Sequence, residues 1–417
     1  MRIINVLKKI LTYSLYTVLI FSFLYLIYFI RTDDPYKKKL RRDIKFMIKT
    51  NTLAQHFFND YNEEFLPNTE FIKVHFKKIN LDFLELNPCF FGSCYTFFLE
   101  QYDENLIIVD KRGNIKITTF SSLENDNQPK FFNIDTNLNF DFILDAYIYK
   151  NDIYISGASS LDDKVFLEVV RGKFNSNQIN FKSIIKLRGE NCTRKHSVHA
   201  GKVQIFNEDK NKILLSVNGA GLPDKPSLEN LSSDSICGKI LLVDTKNKSY
   251  EIYSSGHRNI IGLYADENVI IATEHGPNGG DELNKIKKDK KYGWPIVSHG
   301  EHYSRNKNDP KPNYKKNHKK NEFEEPIFSF VPSIGISEII KLPNNFSELW
   351  QDNFLLASLN KKYLFRIKFN DDYNKVIYKE PIYVGDRIRD LIYNKASKKI
   401  FLALELEGNL GIITNKN

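Results

Sequence analysis

One pattern recurs along this chain: a polar turn, three or four apolar residues, then small or polar ones. It stands as "DENLIIVDKRGN" (103–114), "KNDIYISGASS" (150–160), "DKNKILLSVNGAG" (209–221), "DENVIIATEHG" (266–276), "QDNFLLASLN" (351–360) and "SKKIFLALELEGN" (397–409). With Leu106, Ile153, Ile213, Val269, Phe354 and Ile400 as markers, the intervals are 47, 60, 56, 85 and 46 residues. Runs this continuous suit strands covered on both faces. Hairpins in a sandwich would repeat every 8–12 residues, with no reason for the longer echo. Echoes at roughly 40–50 residues, each with several short strands, are the signature of β-propeller blades. The expectation is an all-β, six-bladed β-propeller, with the strand "FIKVHFKKI" (71–79) closing the ring beside the last blade.

The N-terminal part reads differently. Residues 10–30, "ILTYSLYTVLIFSFLYLIYFI", carry no charge. At ~1.5 Å per residue the segment is long enough to cross a ~30 Å hydrocarbon core, and no small-residue cleavage site follows it. It is expected to be one transmembrane helix, an uncleaved anchor. The organisation that follows is a tail (1–9), the anchor (10–30), a juxtamembrane, partly helical linker (31–66) and the propeller (67–417). The formal charge is +9, of which Arg2, Lys8 and Lys9 supply +3 and the eight Lys/Arg against three Asp of 31–49 supply +5. Basicity therefore belongs to the flanks of the apolar segment, and no extended basic face for nucleic acid remains. The Lys/Arg count favours a cytoplasmic propeller, although translocation of a long domain can override it. Of the four cysteines, Cys89 and Cys94 flank a Gly-containing turn, and Cys192 and Cys237 form a second possible pair. Four cysteines allow three connectivities, and free thiols are equally compatible.

Several polar groupings interrupt the strand pattern. "SSGHRNIIGLY" places His257, Arg258 and Asn259 just before a strand, where Arg and Asn suit a planar anion. In "GDRIRDL", Arg387 and Arg389 stand two apart and share one face of a strand, with Asp386 and Asp390 as competing internal partners. "EHGPNGGDELN" (274–284) concentrates Gly, Pro and acid in the longest interval, as an insertion at a blade end. Its Gly276-Pro277 turn can offer carbonyls to a hard cation, with Asp281 and Glu282 nearby. "HSVHAGKVQIF" offers His196 and His199 as general bases, since imidazole titrates near neutrality.

In that order on a propeller, "GHRN", "EHGPNGGDELN…YGWP" and "RIRD" resemble the glucose/sorbosone dehydrogenase family, whose soluble-type aldose dehydrogenases use pyrroloquinoline quinone (PQQ) and calcium. The resemblance covers roughly residues 90–415. It implies that Arg258 and Asn259 contact the quinone, that Arg387 and Arg389 meet its carboxylates, and that the Gly276 and Pro277 carbonyls hold calcium. Glu282 and Tyr292 match positions near a second, structural calcium. His199, or alternatively His196, would be the base. The family's Arg after its catalytic histidine is Lys202 here, and its "S-L-K" lysine is Asn360, followed by Lys361 and Lys362.

With the anchor read from residues 10–30, the resemblance implies a membrane-anchored, PQQ- and calcium-dependent dehydrogenase of an aldose or related polyol, passing hydride to the quinone. It would be single-pass in the inner membrane, with its propeller in the periplasm, where this family works. The alternative is a propeller that keeps the fold as a non-catalytic binding or scaffold module. A calcium-dependent lactonase is a further rival, and the arginines of "GHRN" and "RIRD" count against it.

Overall fold

The repeated apolar runs are the second strands of antiparallel meanders. They form Asn105–Asp110, Asp152–Leu161, Asp209–Val217, Ile270–Glu274, Phe354–Ser358 and Lys399–Leu404. Each pairs with a first strand before it: Phe97–Tyr102, Phe142–Tyr149, Val203–Phe206, Ile260–Ala265, Ile336–Lys341 and Ile388–Asn394 respectively. The computed structural model describes residues 64–65, 72 and 74–415, apart from 90–91, 126–128, 162–163, 176, 189–191, 193–199, 221–227 and 303–313.

Contacts between first strands run from Phe97–Tyr102 to Phe142–Tyr149, then to Val203–Phe206, Ile260–Ala265, Ile336–Lys341 and Ile388–Asn394, and back to Phe97–Tyr102. This arrangement of sheets about a common axis is a β-propeller. The second strands lie between neighbouring sheets, so both of their faces are covered. Every residue of Phe354–Ser358 and of Ile270–Glu274 is buried. One hydrophobic cluster joins Leu355, Ala357 and Leu364 to Leu391, Leu402 and Ile413 of the next sheet. The continuity of the apolar runs follows from this two-sided packing.

Two of the meanders merge into a nine-stranded sheet, because Gln178–Ile179 pairs in parallel with Phe132–Thr136. The expected closing strand is present as Val74–Asn80. It pairs antiparallel with Asn409–Asn415, from Val74↔Asn415 to Asn80↔Asn409. An N-terminal strand thereby completes the C-terminal sheet.

The long interval is placed differently from expectation. Residues 275–280 make a short link between Ile270–Glu274 and Asp281–Lys285, so "DELN" is itself strand. The additional length falls after that strand, before Phe328–Phe330 pairs back onto it. Gly and Pro crowd residues 275–280 because the backbone folds tightly on itself there. A Cβ on Gly276 would lie 2.1 Å from the Gly280 oxygen, and Gly280 adopts φ 71° against the Gly300 nitrogen.

Cys192 and Cys237 form a disulfide with Cα atoms 5.1 Å apart, and Cys94 is also disulfide-bonded. The expected localisation is corrected. Among the described residues no helix is long and apolar enough to cross a membrane. The apolar segment 10–30 and residues 31–63 of the juxtamembrane stretch lie outside the described residues, so the single-pass inner-membrane placement with a periplasmic propeller has no structural support and is withdrawn.

Candidate functional site

A first strand and its second strand run antiparallel, so residues just before the one and just after the other share one end of the propeller. Arg258, Asn259 and Arg387 precede first strands, and Arg389 is the second residue of its strand. His275, Gly276, Pro277 and Glu405 follow second strands. The topology therefore gathers the arginine motifs and the Gly/Pro loop at one end.

The two "RIR" guanidinium groups meet the same carboxylate. Arg387 Nε stands 3.2 Å from Glu405 Oε2, and Arg389 Nε stands 2.6 Å from Oε1. Burial would raise the Glu405 pKa, but Arg389 and Arg387 outweigh it and hold the carboxyl below its usual range. Asp386 and Asp390, the partners expected from sequence, serve the backbone instead. Asp386 Oδ1 accepts the N–H groups of Arg387 and Leu406 at 2.6 and 2.8 Å, and Asp390 Oδ2 accepts that of Leu99 at 2.8 Å. Burial and the positive charge of Arg389 push the Lys111 ammonium down, which adds that lysine to the same cationic end.

In "GHRN", Glu274 organises the segment. Its carboxylate accepts the Arg258 N–H, and Oε2 lies 3.1 Å from His257 Nδ1. The other His257 nitrogen is 2.8 Å from the Ser254 hydroxyl, and its ring stacks on Tyr292 at 4.5 Å. His257 is thus fully enclosed. Arg258 donates from Nη1 to the His275 carbonyl at 2.9 Å and lies over the Trp294 ring at 5.3 Å. Asn259 is buried, and its carbonyl accepts the His275 N–H at 2.9 Å.

His275 connects the two arginine groups electrostatically. Burial first, with Arg258 and Arg389 adding to it against Asp281, lowers its pKa to about 4. The imidazole is therefore neutral at physiological pH. Its Nε2 is buried and meets no hydrogen-bond partner.

In the Gly/Pro loop Asp281 is an anchor. It accepts from the Gly276 N–H at 3.1 Å, the Ser333 hydroxyl at 2.9 Å, and the N–H groups of Ile334, Gly335 and Ile336 at 3.0, 2.7 and 3.0 Å. Among the described residues no hydrogen bond reaches the carbonyl oxygen of Gly276 or Pro277. Glu282 is buried beside Asn284 and His318. The Tyr292 hydroxyl is engaged internally, donating to the Lys285 carbonyl at 2.6 Å and accepting the Lys287 N–H at 2.9 Å. His196 and His199 lie outside the described residues.

A second polar centre lies further along the axis. A cavity of about 540 Å³ is lined from all the first strands and includes Glu100, Asp145, Lys202, Glu338 and Asp390, but none of Arg258, Asn259, Arg387 or Arg389. Lys202 pairs with both Asp145 and Glu338. Burial opposes its charge, yet Asp145, Glu338 and Asp390 raise its pKa above the ordinary lysine range.

Sequence reasoning passed over Glu274 and Glu405, although the repeat contains a signal for them. Counting five residues beyond each marker gives Lys111, Ala158, Asn218, Glu274, Leu359 and Glu405. Charged or amide residues occupy four of these positions, at or just past the end of a second strand, where the motifs converge.

Residues 96–411 match the family model described as Glucose / Sorbosone dehydrogenase. An uncharacterized Synechocystis protein is 33% identical over 143 residues, covering 34% of this chain and 33% of its own. An Escherichia coli aldose sugar dehydrogenase is 30% identical over 175 residues, covering 40% and 44%. The matched stretches thus span less than half of these relatives. Among solved structures, the apo form of the soluble aldose sugar dehydrogenase from Escherichia coli covers 82% of this chain and 100% of its own, with TM-score 0.64 and 18% identity. The PQQ-bound aldose sugar dehydrogenase from Streptomyces coelicolor covers 82% and 98%, with TM-score 0.55 and 16% identity. The match to the family model over most of the propeller places this chain in the glucose/sorbosone dehydrogenase family.

Proposed function

We propose that this chain is a PQQ- and calcium-dependent dehydrogenase, built on a six-bladed propeller within residues 67–417, that oxidises an aldose or a related sugar or polyol. The observation that carries the reading is the neutral His275 imidazole. Its orphaned Nε2 sits in the field of Arg258 and Arg389, beside the Gly276 and Pro277 carbonyls that no described donor reaches. An anionic planar ligand and a hard cation fit this donor set: guanidinium groups for carboxylates, backbone oxygens for the cation. The resemblance in sequence implies the same pair, and the PQQ-bound Streptomyces coelicolor neighbour supports the quinone.

Arg258 and Asn259 would hold the ring system, with Arg387 and Arg389 oriented by Glu405 toward its carboxylates. Gly276 and Pro277 would supply oxygen ligands to calcium; by the resemblance Glu282 and Tyr292 would lie near a second, structural calcium, although the Glu282 carboxylate faces His318 and Asn284 here. When bound, the quinone supplies the two-electron acceptor, with calcium polarising its carbonyl. The chain's own part is to orient the sugar and remove a proton. An imidazole nitrogen of His199, or alternatively His196, takes the proton of the hydroxyl on the carbon being oxidised.

The test is calorimetric titration of the purified chain with PQQ, with and without calcium, followed by a panel of aldoses and a redox dye. Calcium-dependent binding with dye reduction, lost in His199→Ala or His196→Ala, supports the dehydrogenase. Binding without turnover on any sugar favours the non-catalytic module. No PQQ binding defeats the reading.

A further inference from the structure

Behind the Gly/Pro loop, outside the arginine groups themselves, His299, His318 and Glu325 bring three potential metal-ligand atoms within 4.8 Å of one another. Their backbones are fixed independently. The segment 299–300 is pressed against the Gly279–Gly280 turn, where a Cβ on Gly280 would meet the Gly300 nitrogen at 2.3 Å and the His299 carbonyl carbon at 2.8 Å. Asn278 and Glu301 exchange both backbone hydrogen bonds at 2.8 Å beside it. The His318 carbonyl accepts from Asn321 and Phe323 at 2.9 and 3.1 Å, closing a turn around Lys319–Asn321. Glu325 Oε1 accepts the Lys319 N–H at 2.8 Å, which aims Oε2 at the histidines.

His318 points to a ligand. Its side chain is 1% exposed, and both ring nitrogens are buried without a hydrogen bond of good geometry. Nδ1 lies 3.6 Å from Glu325 Oε2, and Nε2 lies 3.5 Å from Glu282 Oε1. Those separations are long for charge-assisted hydrogen bonds, which run about 2.7–2.9 Å. A separation of 3.6 Å is close to the ~3.4 Å between two ligands of one tetrahedral centre with ~2.0–2.1 Å bonds. The His299 ring stands 5.1 Å from that of His318, centroid to centroid.

We propose that His299, His318 through Nδ1, and Glu325 through Oε2 hold a divalent cation of the zinc class. Glu282 would accept from the other His318 nitrogen, the outer-shell carboxylate that orients a ligating imidazole. Two nitrogens and one carboxylate suit zinc, whereas calcium takes an all-oxygen set. Three protein ligands leave a fourth position for water, on the side where Glu325 is part-exposed. Bound there, the cation clips the 299–301 segment, and with it the Gly/Pro loop, to the 318–325 turn. The inference does not rest on quinone binding.

The experiment uses the full, tag-free chain, stripped of metals by chelation and without quinone. It is titrated with Co²⁺, reading the visible d–d bands, and then with Zn²⁺. One equivalent with strong four-coordinate bands is expected, displaced by Zn²⁺ and persisting in excess Ca²⁺. His299→Gln and Glu325→Gln, at sites that are not fully buried, should each abolish the bands, while Glu282→Gln weakens Zn²⁺ binding by about 10–100-fold. Absence of stoichiometric Co²⁺ binding overturns the proposal. So do bands that survive in both ligand variants, since the metal then sits elsewhere.

Discussion

Arg389 Nε lies 2.6 Å from Oε1 of Glu405, whose other oxygen stands 3.2 Å from Arg387 Nε. One buried carboxylate thus fixes both guanidinium groups of "RIR", and the Thr96 hydroxyl donates to it as well, at 3.1 Å. Removing one partner of a buried pair leaves the others uncompensated, at a cost of about 3–5 kcal/mol. Glu405→Gln should lose stability on that order at pH 7 in urea denaturation. The folded Glu405 pKa is depressed, so its contribution is complete above the unfolded value near ~4.3 and is lost as pH falls through the folded one. The gap between wild type and variant should therefore narrow in strong acid. An equal gap at pH 7 and pH 2 would assign the loss to packing rather than charge.

Asp386 carries the opposite sign. Burial raises its pKa to about 6 from an unfolded value near ~3.9, so the folded state retains a proton that the unfolded state has released. Stability from this group is present below the unfolded value and disappears as pH rises through about 6. Asp386→Asn keeps an oxygen to accept the Arg387 and Leu406 N–H groups and removes the buried charge. The variant should gain on the order of 2 kcal/mol at pH 8 and almost nothing near pH 4, read from denaturation midpoints at the two pH values. A loss at pH 8 would show that the charge serves the neighbouring cations.

The Cys192–Cys237 bridge spans 45 residues. Chain-entropy arguments give about 4 kcal/mol for closing a loop of that length. Cys192→Ser with Cys237→Ser should lower thermal stability accordingly. Asn218 donates to the Cys192 carbonyl, so its second strand is tied to the bridge. A calorimetric scan in which the double variant melts at the wild-type temperature would show that the bridge constrains little of the unfolded chain.

The recurring apolar runs were legible because two-sided burial imposes a simple rule: the central residues of a second strand are apolar or small. Closure by the strand over 71–79 was legible too, since an unpaired last sheet needs an edge partner. The shared partner of Arg387 and Arg389 was missed for a physical reason. Local sequence offers Asp386 and Asp390, but those carboxylates accept backbone N–H groups, Asp386 from Arg387 and Leu406 and Asp390 from Leu391 and Leu99. Glu405 reaches the arginines only across the pairing of Ile388–Asn394 with Lys399–Leu404. The long interval was misread for a related reason: Gly and Pro density marks tight folding, as at Gly276, and not where chain length is added. His318 gave no signal, being one more polar residue in "KKNHKKN" until the fold buries it beside Glu282.

Lys202 joins Asp145 to Glu338, and these residues come from three different first-strand regions around the axial cavity. Asp145 also accepts the Val203 N–H at 2.8 Å. Burial raises the Asp145 pKa to about 6 even with the ammonium present, so the carboxylate depends on Lys202 for its charge. Lys202→Met should therefore cost about 3–5 kcal/mol at neutral pH. Asp145→Asn preserves an acceptor for Val203 while removing one of the stranded charges. The double variant should be less damaged than the sum of the singles, with a coupling energy of at least about 1 kcal/mol in a double-mutant cycle. Additive losses would mean that Glu338 alone balances the lysine. Coupling would show that an ion network, and not apolar packing alone, holds the first strands together where the axis is hollow.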